Sequence, residues 1–151
     1  MRISQYVKNL HDSEEELAKA FKAVSEFHVE EPDVHEMCKL FASWSLDHVQ
    51  NLTPMQTVYD EGEESEADRI KYSSLTMNTE SPGLLRDLCH LWLMTSDVQL
   101  GWVILHQCAK ALRDEKLKLS CEQFGSQTIK QKEWLMMKIK HSAPQILTVA
   151  I

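Results

Sequence analysis

Helix breakers are scarce in this chain: four glycines and four prolines in 151 residues. β-Branched residues are not gathered into alternating runs either, so the composition excludes a sheet-rich fold and favours an all-helical one. Cysteine is equally sparse. Cys38, Cys89, Cys108 and Cys121 form no Cys-x-x-Cys pair, which leaves no zinc knuckle or dithiol motif, and each thiol reads as a small hydrophobe inside a helical pattern. Positive charge is in deficit, 16 Lys and Arg against 23 Asp and Glu, for a net charge of −7 and a pI near 5.5. That balance argues against non-specific binding to nucleic acid or to anionic membranes. No charge-free apolar run reaches the roughly 18 residues of a membrane span. The opening MRISQYVKNL has no apolar signal core, so a cytoplasmic, reducing setting is expected. Gly-x-Ser-x-Gly, P-loop and dinucleotide fingerprints are all missing. Cys89 and His90 are neighbours in sequence, so on a helix their side chains diverge by about 100° and form no nucleophile–base pair.

What is present in quantity is helical periodicity. The stretch from Ser81 to Glu115 dominates it. Ser81 is a good N-cap and Pro82 suits a first helical position. Leu84, Leu88, Leu91, Val98, Trp102, Leu105, Ala109 and Leu112 recur at threes and fours along one face. The other faces are apolar as well, with Leu93, Leu100, Val103 and Ile104 among them. A helix apolar nearly all round is a central one, covered on several sides. Its surplus apolar surface predicts self-association, with a homodimer or higher homo-oligomer as the expected partner.

Three further helices follow from caps and stripes, all within one domain spanning 1–151. Residues 1–11 read as a lead-in. Ser13 with Glu16 spells a capping box opening a helix over 13–30, with Leu17, Phe21, Val24 and His28 on one face and Glu14 at its edge. Glu31-Pro32 ends it. Asp33 with Glu36 spells a second box and a helix over 34–52, whose inward face carries Val34, Cys38, Phe41, Ser45, His48 and Leu52, with Asp47 beside it. The central helix occupies 82–115. Ser120 with Gln123 is a weaker box opening a fourth helix over 121–141, with Phe124, Thr128, Leu135 and Ile139 inward and Gly125 permitting close approach, before Ala143-Pro144 stops it. The last residues, QILTVAI, are expected to pack back on the bundle or on a neighbour. Residues 53–81 form a long link, with an acidic cluster from Asp60 to Asp68 read as a solvated surface; the pattern also allows the second helix to extend past Pro54 with a kink, and a short helix near Ser65 to Tyr72.

Short link, long link, short link: two antiparallel helix hairpins joined by a crossover long enough to travel the bundle. On these helix and link lengths the chain resembles the ferritin-like superfamily over roughly residues 12–142. The resemblance implies a pair of iron or manganese ions held by one Glu from each of two helices and Glu-x-x-His from the other two. It implies a spacing of roughly thirty-three residues from the first glutamate to the paired motif. From Glu14 that spacing lands on Asp47, with Gln50 three residues on; from Asp97 it lands on Lys130, with Glu133 three residues on. No Glu-x-x-His occurs, and Asp87-x-x-His90 is the nearest match. Candidate metal ligands are therefore Glu14, His28, Asp47, His48, Asp97 and Glu133, as an incomplete set. An internal ion pair of Asp97 with Lys130 and Glu133 is the alternative. The functional expectation is a non-catalytic, oligomeric structural or binding protein. Two alternatives stand beside it: a metal-binding oxidoreductase or storage protein with atypical ligands, and an apolar-ligand or haem-binding bundle using His90, Met94 or His106.

Overall fold

The computed structural model describes residues 3–59 and 80–149, and shows a four-helix, all-α bundle. The helices are α1 (Ile3–Phe27), α2 (Pro32–Val58), α3 (Leu84–Leu112) and α4 (Glu115–Leu147). The acidic cluster from Asp60 to Asp68 and the expected short helix near Ser65 to Tyr72 lie outside the described residues.

Each helix departs from its expected bounds for a definable reason. α1 begins ten residues before Ser13, because Ile3, Val7 and Leu10 extend the stripe of Leu17, Phe21 and Val24; all six are buried. Ser13 is thus an interior residue, and Glu16 pairs forward with Lys19 at 3.4 Å instead of back to a cap. α2 starts on Pro32, with Glu31 as an extended N-cap residue. Every inward residue expected for it, Val34 to Leu52, is buried, and the helix then continues through Pro54. α3 starts two residues later than its Ser81-Pro82 signal. Gly83 stands at φ 122°, a conformation open to glycine, and serves as the N-cap residue. Ser81 instead accepts from the Gly83 N–H at 3.1 Å and donates to Asp87 at 2.6 Å.

Arg113 closes α3 in the left-handed region at φ 54°, and Asp114 at once caps α4, accepting from the Leu117 N–H at 3.0 Å. The Ser120–Gln123 box consequently lies inside α4. The expected stop at Pro144 is also absent: the helix runs through it to Leu147, and Ile146, Leu147 and Val149 are exposed instead of packing back. A proline removes one intrahelical bond; here Thr148 returns both its N–H and its hydroxyl to the Pro144 carbonyl.

One core unites the helices. Contacts between α1 and α2 pass from Ser25–His35 through Phe21–Phe41 to Glu14–His48. α1 meets α3 at Glu14–Trp102, and the turn that follows α1 meets it at His28–Asp87. α4 meets α3 at Glu122–His106 and Lys132–Gln99, and meets α2 at Gln131–Phe41 and Lys138–Asp33. At Gly101 an added Cβ would stand 2.6 Å from Leu10 Cδ1, so α1 and α3 pack tightly there; Gly125 is looser, with 3.6 Å to Trp102 Cβ. By length and composition alone, α3 is long and apolar enough to cross a membrane. Such a window tolerates the charges that break a charge-free run. A core helix passes the same test, and α3 buries Leu88, Leu91, Val98, Trp102 and Leu105 inside the bundle.

Candidate functional site

The bundle centre holds a polar cluster built by all four helices. α1 supplies Glu14 and α2 supplies His48, both with no exposed surface. Heptad-like spacing from Leu10 through Leu17 brings Glu14 inward, where an apolar residue would ordinarily sit. His48 follows Phe41 and Ser45 on the same stripe of α2. The His48 Nδ1–H donates to Glu14 Oε2 in a very short hydrogen bond, and its Nε2 stands 2.7 Å from Gln127 Oε1 of α4. Trp102 of α3 donates its indole N–H to the same Glu14 oxygen at 3.2 Å. The imidazole packs against two rings that also touch each other, with centroids 4.8 Å from Phe124 and 5.9 Å, edge-on, from Trp102.

The electrostatics follow from this geometry. Burial opposes the charged imidazole, but the hydrogen bond and charge of Glu14, the bond to Gln127 and the charge of Asp47 together hold His48 above the usual histidine range. Both ring nitrogens face oxygen acceptors, so the doubly protonated ring satisfies both at once. One layer away, Gln131 of α4 is buried and donates to the Phe41 carbonyl and to Ser45 Oγ, each at 3.1 Å. Two buried oxygens of this region, Glu14 Oε1 and Gln131 Oε1, have no hydrogen-bond partner.

The six sequence candidates separate. Glu14 and His48 come together. Asp47, the residue picked by spacing, is exposed; the inward residue is its neighbour, one helical step round. His28 lies at one end of the bundle, its Nε2 donating to Asp87 Oδ2 at 2.7 Å. Asp97 is half-buried beside Tyr6, Ser13, Leu100 and Gly101 in a small recess between α1 and α3. Glu133 and Lys130 are exposed on α4, so neither forms an internal ion pair with Asp97. Of the haem-ligand candidates, His106 pairs with Glu122 at 3.1 Å near the surface, and Met94 is core. Sequence reading missed Trp102, Gln127 and Gln131 as members of the central cluster. Glutamines at 127 and 131, one turn apart and in register with Phe124 and Leu135, were the signal available.

Ser81, His28 and Asp87 resemble a catalytic triad in composition only. Both the Ser81 hydroxyl and His28 Nε2 donate to one oxygen, Asp87 Oδ2. A triad needs the histidine to bridge serine and aspartate through different nitrogens. Elsewhere His11, Asp12 and Glu15 bring ligand atoms within 4.8 Å of one another on a partly exposed side of α1. Glu15 there also lies 3.5 Å from Lys19.

No family model, no curated protein and no solved structure matches this chain. The chemistry of the centre must therefore be read from its own donors. Among the described residues it consists of one carboxylate, one imidazole, one indole and two amides. That is not the carboxylate-rich donor set that the ferritin-like resemblance implies for two metal ions. Both imidazole nitrogens are already committed to protein oxygens, and α3 brings an indole to the place where a carboxylate is needed.

Proposed function

We propose that the chain is a non-catalytic, self-associating structural or binding protein with ferritin-like connectivity. The contact ladders support that connectivity. Along α1 and α2 the partners' numbers rise on one helix as they fall on the other, from Ser25–His35 to Glu14–His48; α3 and α4 do likewise from His106–Glu122 to Gln99–Lys132. α1 meets α3, and α2 meets α4, in the same opposed sense. Two antiparallel hairpins with α2 and α3 parallel satisfy all four ladders, and such an arrangement needs a link that returns the length of the bundle.

One observation carries the functional reading: α3 leaves a row of large apolar side chains on its outer surface. Leu93, Leu100 and Val103 are at least half exposed, and Ile104 is 37% exposed. Leu93, Leu100 and Ile104 stand at spacings of seven and four, one continuous stripe. Contiguous apolar surface of this kind marks an interface on a cytoplasmic protein, and a second copy of α3 is a self-complementary cover for it. The central cluster, whose hydrogen bonds tie side chains of all four helices together, serves as a register device for the helices.

Light scattering coupled to size exclusion tests this. The expected result is a dimer or larger assembly. Leu100→Lys with Ile104→Lys should yield monomers of unchanged helicity by circular dichroism. A wild-type monomer at about 100 μM, or a variant that assembles as before, would overturn the reading. Partition of the wild-type chain into detergent or vesicles would assign the α3 stripe to lipid.

A further inference from the structure

We infer a second polar site, at the end of the bundle where α1 ends and α3 begins, which binds one first-row divalent metal ion through Asp87 and His90. Asp87 is 1% exposed. Its Oδ2 is occupied, accepting from His28 Nε2 at 2.7 Å and Ser81 Oγ at 2.6 Å. Its Oδ1 is buried and has no partner. One helical turn on, His90 Nε2 is likewise buried without a partner. Residues three apart share a helix face, so these two orphaned atoms lie on the same side of α3.

Chemistry gives the pair a direction. A carboxylate oxygen only accepts. An imidazole nitrogen without a proton also offers a lone pair, and His90 does so when Nδ1 carries the ring hydrogen. Two lone pairs left unmet on one buried face call for a positive partner. Both residues line a cavity of about 330 Å³. Glu80, Cys89 and Arg86 line it too, Arg86 being the one cationic side chain among the described lining residues; Asp87 and His90 supply the protein donors, and water would complete the shell of the bound ion. A carboxylate oxygen beside an imidazole nitrogen suits zinc-like ions in preference to magnesium or calcium. His28 and Ser81 hold the second carboxylate oxygen in place, the outer-shell arrangement that orients a metal-binding carboxylate. This site is separate from the Glu14–His48 cluster, and its occupation does not depend on self-association.

The test is calorimetric titration of the full chain with Zn²⁺, paired with the visible spectrum of the Co²⁺ form. One ion per chain should bind, and His90→Gln should weaken binding by about tenfold or more, about 1.4 kcal/mol. His90→Gln is the preferred variant because Asp87→Asn disturbs the His28 and Ser81 contacts. Two controls fix the location. His106→Gln, remote from the cavity, should leave the affinity unchanged, and so should His11→Gln in the partly exposed α1 cluster. Absence of saturable binding would mean the orphaned atoms hold only water. Unchanged binding in His90→Gln, or binding lost in His11→Gln, would also overturn the assignment.

Discussion

Removing the Glu14 carboxylate should destabilise the bundle far more than removing both members of its ion pair. Glu14→Leu leaves two buried donors without an acceptor, the His48 Nδ1–H and the Trp102 Nε1–H. Each orphaned donor costs about 1–3 kcal/mol, and a buried charge stripped of its partner costs about 3–5 kcal/mol. A loss near 4 kcal/mol is therefore expected. The double variant Glu14→Leu, His48→Leu removes the charge as well. It orphans only the indole, since Gln127 is partly exposed and can turn to water. The double variant should recover about 2 kcal/mol or more relative to Glu14→Leu, because apolar replacement of a buried ion pair is often neutral. Urea denaturation followed by circular dichroism supplies the numbers, with the His48→Leu single variant completing the cycle. Additive losses across the cycle would refute the reasoning. The pH dependence adds a second check. The folded-state pKa of His48 is raised, so its contribution is fully present below the unfolded value of about 6.5 and is lost as pH rises through the folded value. Wild-type stability should fall across that interval on the alkaline side, and His48→Leu should not show the fall.

Three further outcomes are expected. Gly125→Ala should stabilise the protein by about 0.5–1 kcal/mol through helix propensity, because the new methyl meets only ordinary contact with Trp102 at 3.6 Å; thermal melting reads the gain, and a lowered melting temperature would contradict it. Arg113→Gly should also stabilise, by up to about 1 kcal/mol, by relieving a left-handed residue at φ 54°. Iodoacetamide at pH 8 should alkylate exposed Cys89 first and spare Cys38 and Cys121 in the folded chain. Both spared thiols are buried, and burial pushes each up to about 12; peptide mass spectrometry identifies the modified residue, and early labelling of Cys38 would count against the packing described.

The fold class was legible because period and composition agreed along almost the whole chain. The inward face of α2 could be read residue by residue, from Val34 to Leu52. Helix ends were less legible because local signals compete with longer stripes. Ser13 and Ser120 offer good capping chemistry, yet Ile3, Val7 and Leu10 carry the first stripe past Ser13, and Leu117 with Cys121 carries the fourth past Ser120. A cap forms only where the chain stops burying its apolar face. Glu14 and His48 were both recognised as candidates, but spacing alone chose Asp47 as the partner. A helix turns 100° per residue, so an error of one position moves a side chain from interior to solvent. The indole and amides were invisible to a search framed around carboxylates and histidines, because nothing in one strand of sequence tells which neutral polar groups three other helices will aim at the same point.

His48 touches a side chain from every other helix: Glu14 of α1, Trp102 and its ring on α3, and Gln127 with Phe124 on α4. Fraying of any single helix past that level must break a contact made by the same imidazole. Amide protons on either side of it, whichever helix they belong to, should therefore exchange with solvent through one shared opening event, and the bundle should melt as a unit instead of peeling apart hairpin by hairpin.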